Sequence, residues 1–105
     1  MMAENDRVEP SLPDVKLLTL FDVLYRTRSV TRAAEQLGLS QPTASIWLGR
    51  LRDQLGDPLF VRTPAGMSPT PRADTLIAPC REILESLRVL RRLGLNATPP
   101  APTLP

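Results

Sequence analysis

Arginine is the residue type in this 105-residue chain whose number and position most clearly suggest binding chemistry. Residues 26–72 carry seven arginines against three carboxylates, a formal balance of +4, whereas residues 1–25 have a balance of −3. A planar guanidinium group can make several hydrogen bonds at once to a phosphate, although GC-rich coding sequence also favours arginine over lysine. The segregation of charge indicates a positively charged surface in the middle of the chain that suits a polyanion.

Residues that could support catalysis are scarce. The chain has no histidine and one cysteine, Cys80, and it shows neither a glycine-rich phosphate loop nor a convergent pair of carboxylates. We therefore expect no enzymatic activity, no metal site and no cofactor. A single cysteine also favours a reducing compartment, and no segment is long and apolar enough to cross a bilayer, so we expect a cytoplasmic protein without membrane contact.

Two short amphipathic patterns lie within the positively charged segment, and each has apolar residues at helical spacing. A serine precedes each pattern as a candidate N-cap, and a glycine follows each as a candidate C-cap. Only two residues separate the first pattern from the second cap, so the second helix must turn sharply against the first. The apolar positions are Val30, Ala33, Ala34 and Leu37 in the first pattern, then Ala44, Trp47, Leu48, Leu51 and Leu55 in the second.

The flanking segments complete a winged helix-turn-helix. Residues 14–26 predict a first helix with Asp14 as its N-cap, and residues 59–62 and 67–70 predict two short strands around a turn at residues 64–66. The predicted fold is mainly α, with three helices, a small β wing and a long C-terminal helix. An ordinary antiparallel helical hairpin would give the same stripes, but the short turn and the paired alanines favour the winged module.

The C-terminal helix carries an apolar seam that predicts dimerisation. Its alternative is that the helix folds back and covers its own domain. We predict four regions: a disordered lead at residues 1–13, the winged domain at 14–70, the dimerisation helix at 71–93, ended by Gly94, and a proline-rich flexible tail at 94–105. The seam comprises Leu76, Cys80, Ile83, Leu84, Leu87 and Leu90.

A family resemblance follows from three motifs, AAEQLGLSQPTAS, LGDPLFVR and PTPRA. The chain contains AAEQLGLSQPTASIWLGRLRDQLGDPLFVRT and then GMSPTPRA, and over residues 14–93 it resembles the N-terminal region of LysR-type transcriptional regulators. The resemblance implies a winged DNA-binding domain and a linker helix that pairs antiparallel with that of a second copy. It also implies sequence-specific regulation of transcription, usually at an interrupted inverted repeat in double-stranded DNA.

The resemblance also implies which residues contact DNA. The start of the second helix of the motif would face the major groove, where a glutamine amide can pair with adenine and a serine hydroxyl can bond a base or a phosphate. Residues at the start of the preceding helix and in the wing would lie near the backbone or the minor groove. The implied contact residues are Thr31, Arg32, Ser40, Gln41, Pro42, Thr43, Ser45, Ile46 and Arg62.

Three positions depart from the common family pattern. Ile46 stands where many members have an arginine, so apolar contact with a thymine methyl would replace a polar contact there. Trp47 stands where a glutamine is frequent and Ala44 where a larger apolar residue is usual. The indole of Trp47 could contact DNA, or it could fill the space that Ala44 leaves.

Family members continue beyond the linker helix into a portion that senses a small molecule, and no residues here resemble its beginning. We therefore expect no effector site in this chain. Two functions remain: a DNA-binding regulator that acts as a homodimer at the bacterial nucleoid, or a winged-helix interaction module that dimerises with full-length relatives and modulates them.

Overall fold

A computed structural model describes residues 12–96, with the side chain of Asn96 left out. The elements follow one another as α1 (Val15–Thr27), α2 (Val30–Leu37), α3 (Gln41–Leu55), β1 (Phe60–Thr63), β2 (Gly66–Pro69) and α4 (Pro71–Asn96). The predicted fold class, a mainly helical winged helix-turn-helix with a long C-terminal helix, is confirmed.

Side-chain caps define where the first three helices begin. The carboxylate of Asp14 accepts from the backbone N–H of Leu17, and the hydroxyl of Ser29 accepts from that of Arg32. Each bond satisfies a first-turn donor that has no partner within the helix. Gly38 and Gly56 end α2 and α3 in the left-handed conformation that the sequence predicted for them.

Helix α1 forms the centre of the core and packs against α2, α3 and α4. Leu20, Phe21 and Leu24 are almost completely buried, and the ring of Phe21 meets that of Phe60 edge to face at 5.9 Å. The first residue of the wing therefore anchors the hairpin in the helical core.

The wing is a two-stranded antiparallel hairpin in which Phe60 pairs with Pro69 and Thr63 with Gly66. Both strands are displaced by one residue from the predicted segments. The backbone N–H of Met67 also donates to the carbonyl of Arg28 at 2.9 Å, so the hairpin is fastened to the end of α1.

Helix α4 corrects two sequence expectations. It continues through Gly94 to Asn96, because an interior glycine costs a helix only about 1 kcal/mol and the next proline is Pro99. Its first half belongs to the same core as residues 14–70, so the predicted boundary at residue 71 is not a break in packing. The predicted lead at residues 1–11 and tail at residues 97–105 lie outside the described residues.

The predicted seam on α4 also needs correction. Cys80 and Leu84 are buried against the chain's own α1, together with Ala73 and Ile77, so neither is free to meet a second copy. The alternative of a helix that covers its own domain is therefore right for this face. The predicted seam combined residues from two parts of a broad apolar surface on α4. Ile83 and Leu90 lie on its outer part and are 47% and 66% exposed. Leu76 and Leu87 are half-buried at the edge of the core.

Candidate nucleic-acid interface

The outer surface of α3 presents its N-terminal residues to solvent. Ala44, Leu48 and Leu51 point into the core and are almost inaccessible, because three helical turns of apolar residues share one stripe. The opposite surface of the helix is exposed. We call its residues Gln41, Pro42, Ser45 and Ile46 the outer face of α3.

The start of α3 is held rigidly by Ser40. Its hydroxyl accepts from the backbone N–H of Thr43 at 3.2 Å and donates to the hydroxyl of Thr43 at 2.9 Å. Pro42 lies in the first helical turn, where its fixed φ suits the helix and its missing N–H costs nothing. Ser40 and Thr43, both predicted contact residues, are thus occupied in positioning the outer face of α3.

A hydrogen bond joins the two helices of the motif at their N-terminal ends. The hydroxyl of Thr31 at the start of α2 donates to Oε1 of Gln41 at 3.3 Å. The Gln41 amide nitrogen donates no hydrogen bond within residues 12–96, so both of its N–H groups are available to a ligand. The geometry therefore brings Thr31 and Gln41 together and leaves a pair of donors at the surface.

The arginines of the positively charged segment divide into two groups. Arg26 pairs with Asp22, Arg28 donates to the carbonyl of Tyr25, and Arg52 donates to two carbonyls of the chain. By contrast, no partner within residues 12–96 engages the guanidinium groups of three exposed arginines. These are Arg32 on α2, Arg50 on α3 and Arg62 on β1. The seventh arginine, Arg72 on α4, is exposed and has a favourable charge interaction with Asp57. The charge available to a ligand is therefore smaller than the composition suggests, and it includes Arg50, which the sequence analysis did not select.

Ile46 and Trp47 have different environments. Ile46 is 57% exposed on the outer face of α3. Trp47 is half-buried against the core, and the ammonium of Lys16 lies 5.3 Å from its ring centroid. The structure thus favours the packing explanation for Trp47 over contact with a ligand.

Sequence reasoning missed a polar cluster where α3, the wing and α4 meet. Oδ2 of Asp57 accepts from the backbone N–H of Leu59 at 2.8 Å and from the hydroxyl of Thr70 at 2.7 Å. Arg52 donates to the carbonyls of Pro58 and Phe60 at 2.7 and 2.9 Å. We call Arg52, Asp57, Leu59 and Thr70 the wing junction. The Asp57-Pro58 pair after the Gly56 cap was the available signal, since Asp commonly bonds its own turn.

The wing junction affects the ionisation of its carboxylate. The hydrogen bond from Thr70, followed by that from Leu59, lowers the pKa of Asp57 below its ordinary value. Both bonds stabilise the charged form, and Arg72 adds a smaller favourable charge interaction. Asp57 is therefore ionised throughout the neutral pH range.

Cys80 has the environment of a structural residue. Its thiol donates to the carbonyl of Leu18 at 3.4 Å, and burial raises its pKa to about 11. Over the described part of the chain, no three His, Cys, Asp or Glu side chains come together as a metal site. None of the helices described there is long and apolar enough to cross a membrane.

Comparison with known proteins assigns the family. The model of the bacterial regulatory helix-turn-helix protein, lysR family, matches residues 15–74, which is more than half of the chain. The chain belongs to the LysR family. The match runs from the start of α1 to the start of α4, and so it includes the outer face of α3, the wing and the wing junction.

Curated relatives are named as regulators. The chain is 46% identical over 86 residues to the HTH-type transcriptional regulator LinR of Sphingobium indicum, covering 82% of this chain and 28% of that protein. It is 49% identical over 75 residues to the HTH-type transcriptional activator NahR of Pseudomonas putida, covering 71% and 25%. The chain thus spans about a quarter of the length of these relatives.

Solved structures share the fold. A probable transcriptional regulator, PA0477 from Pseudomonas aeruginosa, is 40% identical, with a TM-score of 0.71 over 86% of this chain and 30% of that one. The BenM_DBD/catB site 1 DNA complex matches at a TM-score of 0.72 over 77% of this chain and 91% of that one. At 22% identity the second similarity concerns the fold alone.

Proposed function

We propose that this chain binds double-stranded DNA sequence-specifically as a LysR-type transcriptional regulator. The observation that carries the proposal is the outer face of α3: a capped, rigid helix start that projects polar and apolar side chains away from the core. A structure of this shape fits the major groove, and LinR and NahR are named as transcriptional regulators. This function places the chain in the bacterial cytoplasm, at the nucleoid.

The proposed contacts divide by chemistry. Gln41 reads a base edge with its amide protons and the remaining lone pair of Oε1, and Ser45 and Ile46 contact a base or a thymine methyl. Arg32, Arg50 and Arg62 neutralise phosphates around the groove. Thr31, Ser40 and Thr43 position Gln41, and Pro42 shapes the helix start. Arg50 is added to the predicted contacts because its guanidinium is exposed on the same helix.

We further propose that α4 holds two copies together. Ile83 and Leu90 are exposed on one side of α4, and Leu76 and Leu87 lie at the edge of the core. Pairing with a second α4 would bury this face and would present two α3 helices to an interrupted inverted repeat. The proposal includes no effector site in the described residues.

A second function draws on the same exposed apolar face. A module that uses α4 to join longer relatives would dimerise equally well but would not need DNA. Salt dependence separates the two functions, because the affinity of a DNA binder falls steeply with salt, with a log–log slope of about −0.9 per neutralised phosphate. Weak DNA binding with a shallow slope would favour the interaction module.

The decisive experiment selects bound duplexes from a random pool and then titrates the preferred site with variants. Gln41→Ala should lower discrimination at one base pair by roughly 1–3 kcal/mol with the salt slope unchanged. The control is Gln36→Ala, which removes the amide of an exposed glutamine near the C-terminal end of α2. Arg62→Ala should weaken all sequences alike and flatten the slope, whereas Arg92→Ala on α4 should do neither. No enriched sequence, or equal effects of Gln41→Ala and Gln36→Ala, would refute the proposed contacts.

A further inference from the structure

The wing junction links the segment that follows α3 to the start of α4 through Thr70. The side chain of Thr70 donates to Asp57 at 2.7 Å and accepts from the backbone N–H of Ala73 at 3.0 Å, so it also caps α4. The backbone N–H of Thr70 donates to the carbonyl of Leu59 at 2.9 Å. The first turn of α4 is thereby bonded on two sides to the segment that follows α3.

The segment between α3 and the wing is held in an unusual conformation. Leu59 has a φ of 65°, which a non-glycine residue rarely adopts, and its side chain is completely buried. Arg52 binds the carbonyls on either side of Leu59, and Asp57 binds its N–H. Four hydrogen bonds from Arg52, Asp57 and Thr70 therefore hold Leu59 and its neighbours between α3 and β1. A strained residue persists only where the surrounding structure fixes it in this way.

We propose that the bond between Asp57 and Thr70 sets the direction of α4 relative to α3 and thereby the distance between the two DNA half-sites that a dimer can occupy. Asp57 and Thr70 are positioning residues, since they act through the helices and not on the bases. The second part of the proposal rests on the proposed function, whereas the first part concerns the chain alone.

Geometry shows why a small change at the wing junction matters. Helix α4 has 26 residues and is about 39 Å long, so a rotation of about 10° at its start moves its far end by about 7 Å. That displacement is about two base-pair steps, because successive phosphates on one strand lie about 3.4 Å apart. The packing of α1 against both helices gives their approximate orientation. Bonds from Arg81 to Asp22 and from Tyr25 to Asp74 hold α4 to α1, and the wing junction adds a polar connection between α4 and the segment that follows α3.

The test varies the spacing between two half-sites and measures the affinity of Asp57→Ala, which removes the acceptor, and Thr70→Val, which removes the donor. We expect both variants to bind a single half-site within about twofold of the unmodified chain, but to lose about tenfold at the optimal spacing and to tolerate other spacings. Thr70→Ser, which keeps the hydroxyl, should restore the narrow profile. Asp53→Ala, which removes an exposed carboxylate on α3, is the matched control.

The outcomes separate this inference from the proposed function. Absence of DNA binding by the unmodified chain contradicts the proposed function. Normal binding with an identical spacing profile in Asp57→Ala, Thr70→Val and Asp53→Ala overturns the role in spacing. If Asp57→Ala does not fold, Thr70→Val, which keeps the size of the side chain, is compared with Thr70→Ser, which keeps the hydroxyl.

A second measurement needs no DNA. Spin labels at Arg50→Cys on α3 and Ala78→Cys on α4 report the distance between the helices, with excess unlabelled chain to isolate single protomers. Cys80 lies buried and should remain unlabelled. We expect a narrow distance distribution in the labelled chain and a clearly broader or shifted one after Thr70→Val, which removes the hydroxyl that donates to Asp57. An unchanged distribution would overturn the inference, whatever the chain binds.

Discussion

Nε of Arg81 on α4 lies 2.7 Å from Oδ1 of Asp22, a carboxylate that is buried in the middle of α1. Tyr25, one turn further along α1, donates its hydroxyl to Asp74 on α4 at 2.6 Å. These bonds, together with the buried face of α4, attach the linker helix to the winged domain. Helix α4 is therefore a part of the folded domain and not an appendage to it.

Replacing Arg81 should test this attachment. Arg81→Ala leaves Asp22 with only Arg26, whose nearest atom is 3.6 Å away, and we expect unfolding to become easier by about 1–3 kcal/mol. Urea denaturation at a fixed protein concentration measures the change. Arg88→Ala, which breaks an exposed pair with Glu85, should cost less than about 1 kcal/mol. Equal effects would show that the Asp22–Arg81 pair contributes no more to stability than an exposed pair.

Local rules predicted most of the fold. Asp14, Ser29 and Ser40 each precede an apolar stripe and each caps a helix, because capping depends only on residues three positions apart. The outer face of α3 followed from the same stripes. Its contacts with DNA came only from the family resemblance and stay a prediction.

What the sequence could not predict depends on long-range contacts. On α4 the same spacing of apolar residues occurs in a part that covers α1 and in a part that stays exposed. Only the position of α1 determines that Cys80 is buried and Leu90 is not. The wing junction joins Asp57 to Thr70 across 13 positions, and no periodicity marks such a bond. The intrachain roles of Arg28 and Arg52 are local, with carbonyl partners three to eight residues away, but no stripe or cap marks an arginine–carbonyl bond and they were missed too.

Cys80 should be chemically inert in the folded chain. Its pKa of about 11 means that the thiol stays protonated at pH 8, so Ellman's reagent should react about 100-fold more slowly than with the unfolded chain. An Ala78→Cys variant supplies an exposed thiol two residues away as an internal control. We also expect no disulfide between two chains under mild oxidation, and rapid cross-linking would contradict the burial of Cys80.

The wing should tolerate no side chain at Gly66. A Cβ there would lie 2.8 Å from the carbonyl oxygen of Arg28, and the φ of 122° is one that other residues rarely adopt. We expect Gly66→Ala to lower the free energy of unfolding by roughly 1–3 kcal/mol. Gly49→Ala should instead raise the free energy of unfolding by about 0.5–1 kcal/mol. Gly49 lies inside α3, and no atom lies within 4 Å of the added carbon. This reasoning would be contradicted if both variants shifted the urea midpoint of unfolding in the same direction from that of the unmodified chain.

The exposed side of α4 predicts how the chain associates. Leu90→Asp places a charge on the proposed pairing face without touching the core, whereas Leu87→Asp would also disturb packing, since Leu87 is half-buried. We expect Leu90→Asp to sediment as a monomer, to keep its affinity for one half-site and to bind a two-half-site operator at least about tenfold more weakly. Val89→Asp is the matched control, because the adjacent residue lies about 100° around the helix. A dimeric Leu90→Asp variant would show that α4 does not pair through this face, and the second copy would then have to bind elsewhere.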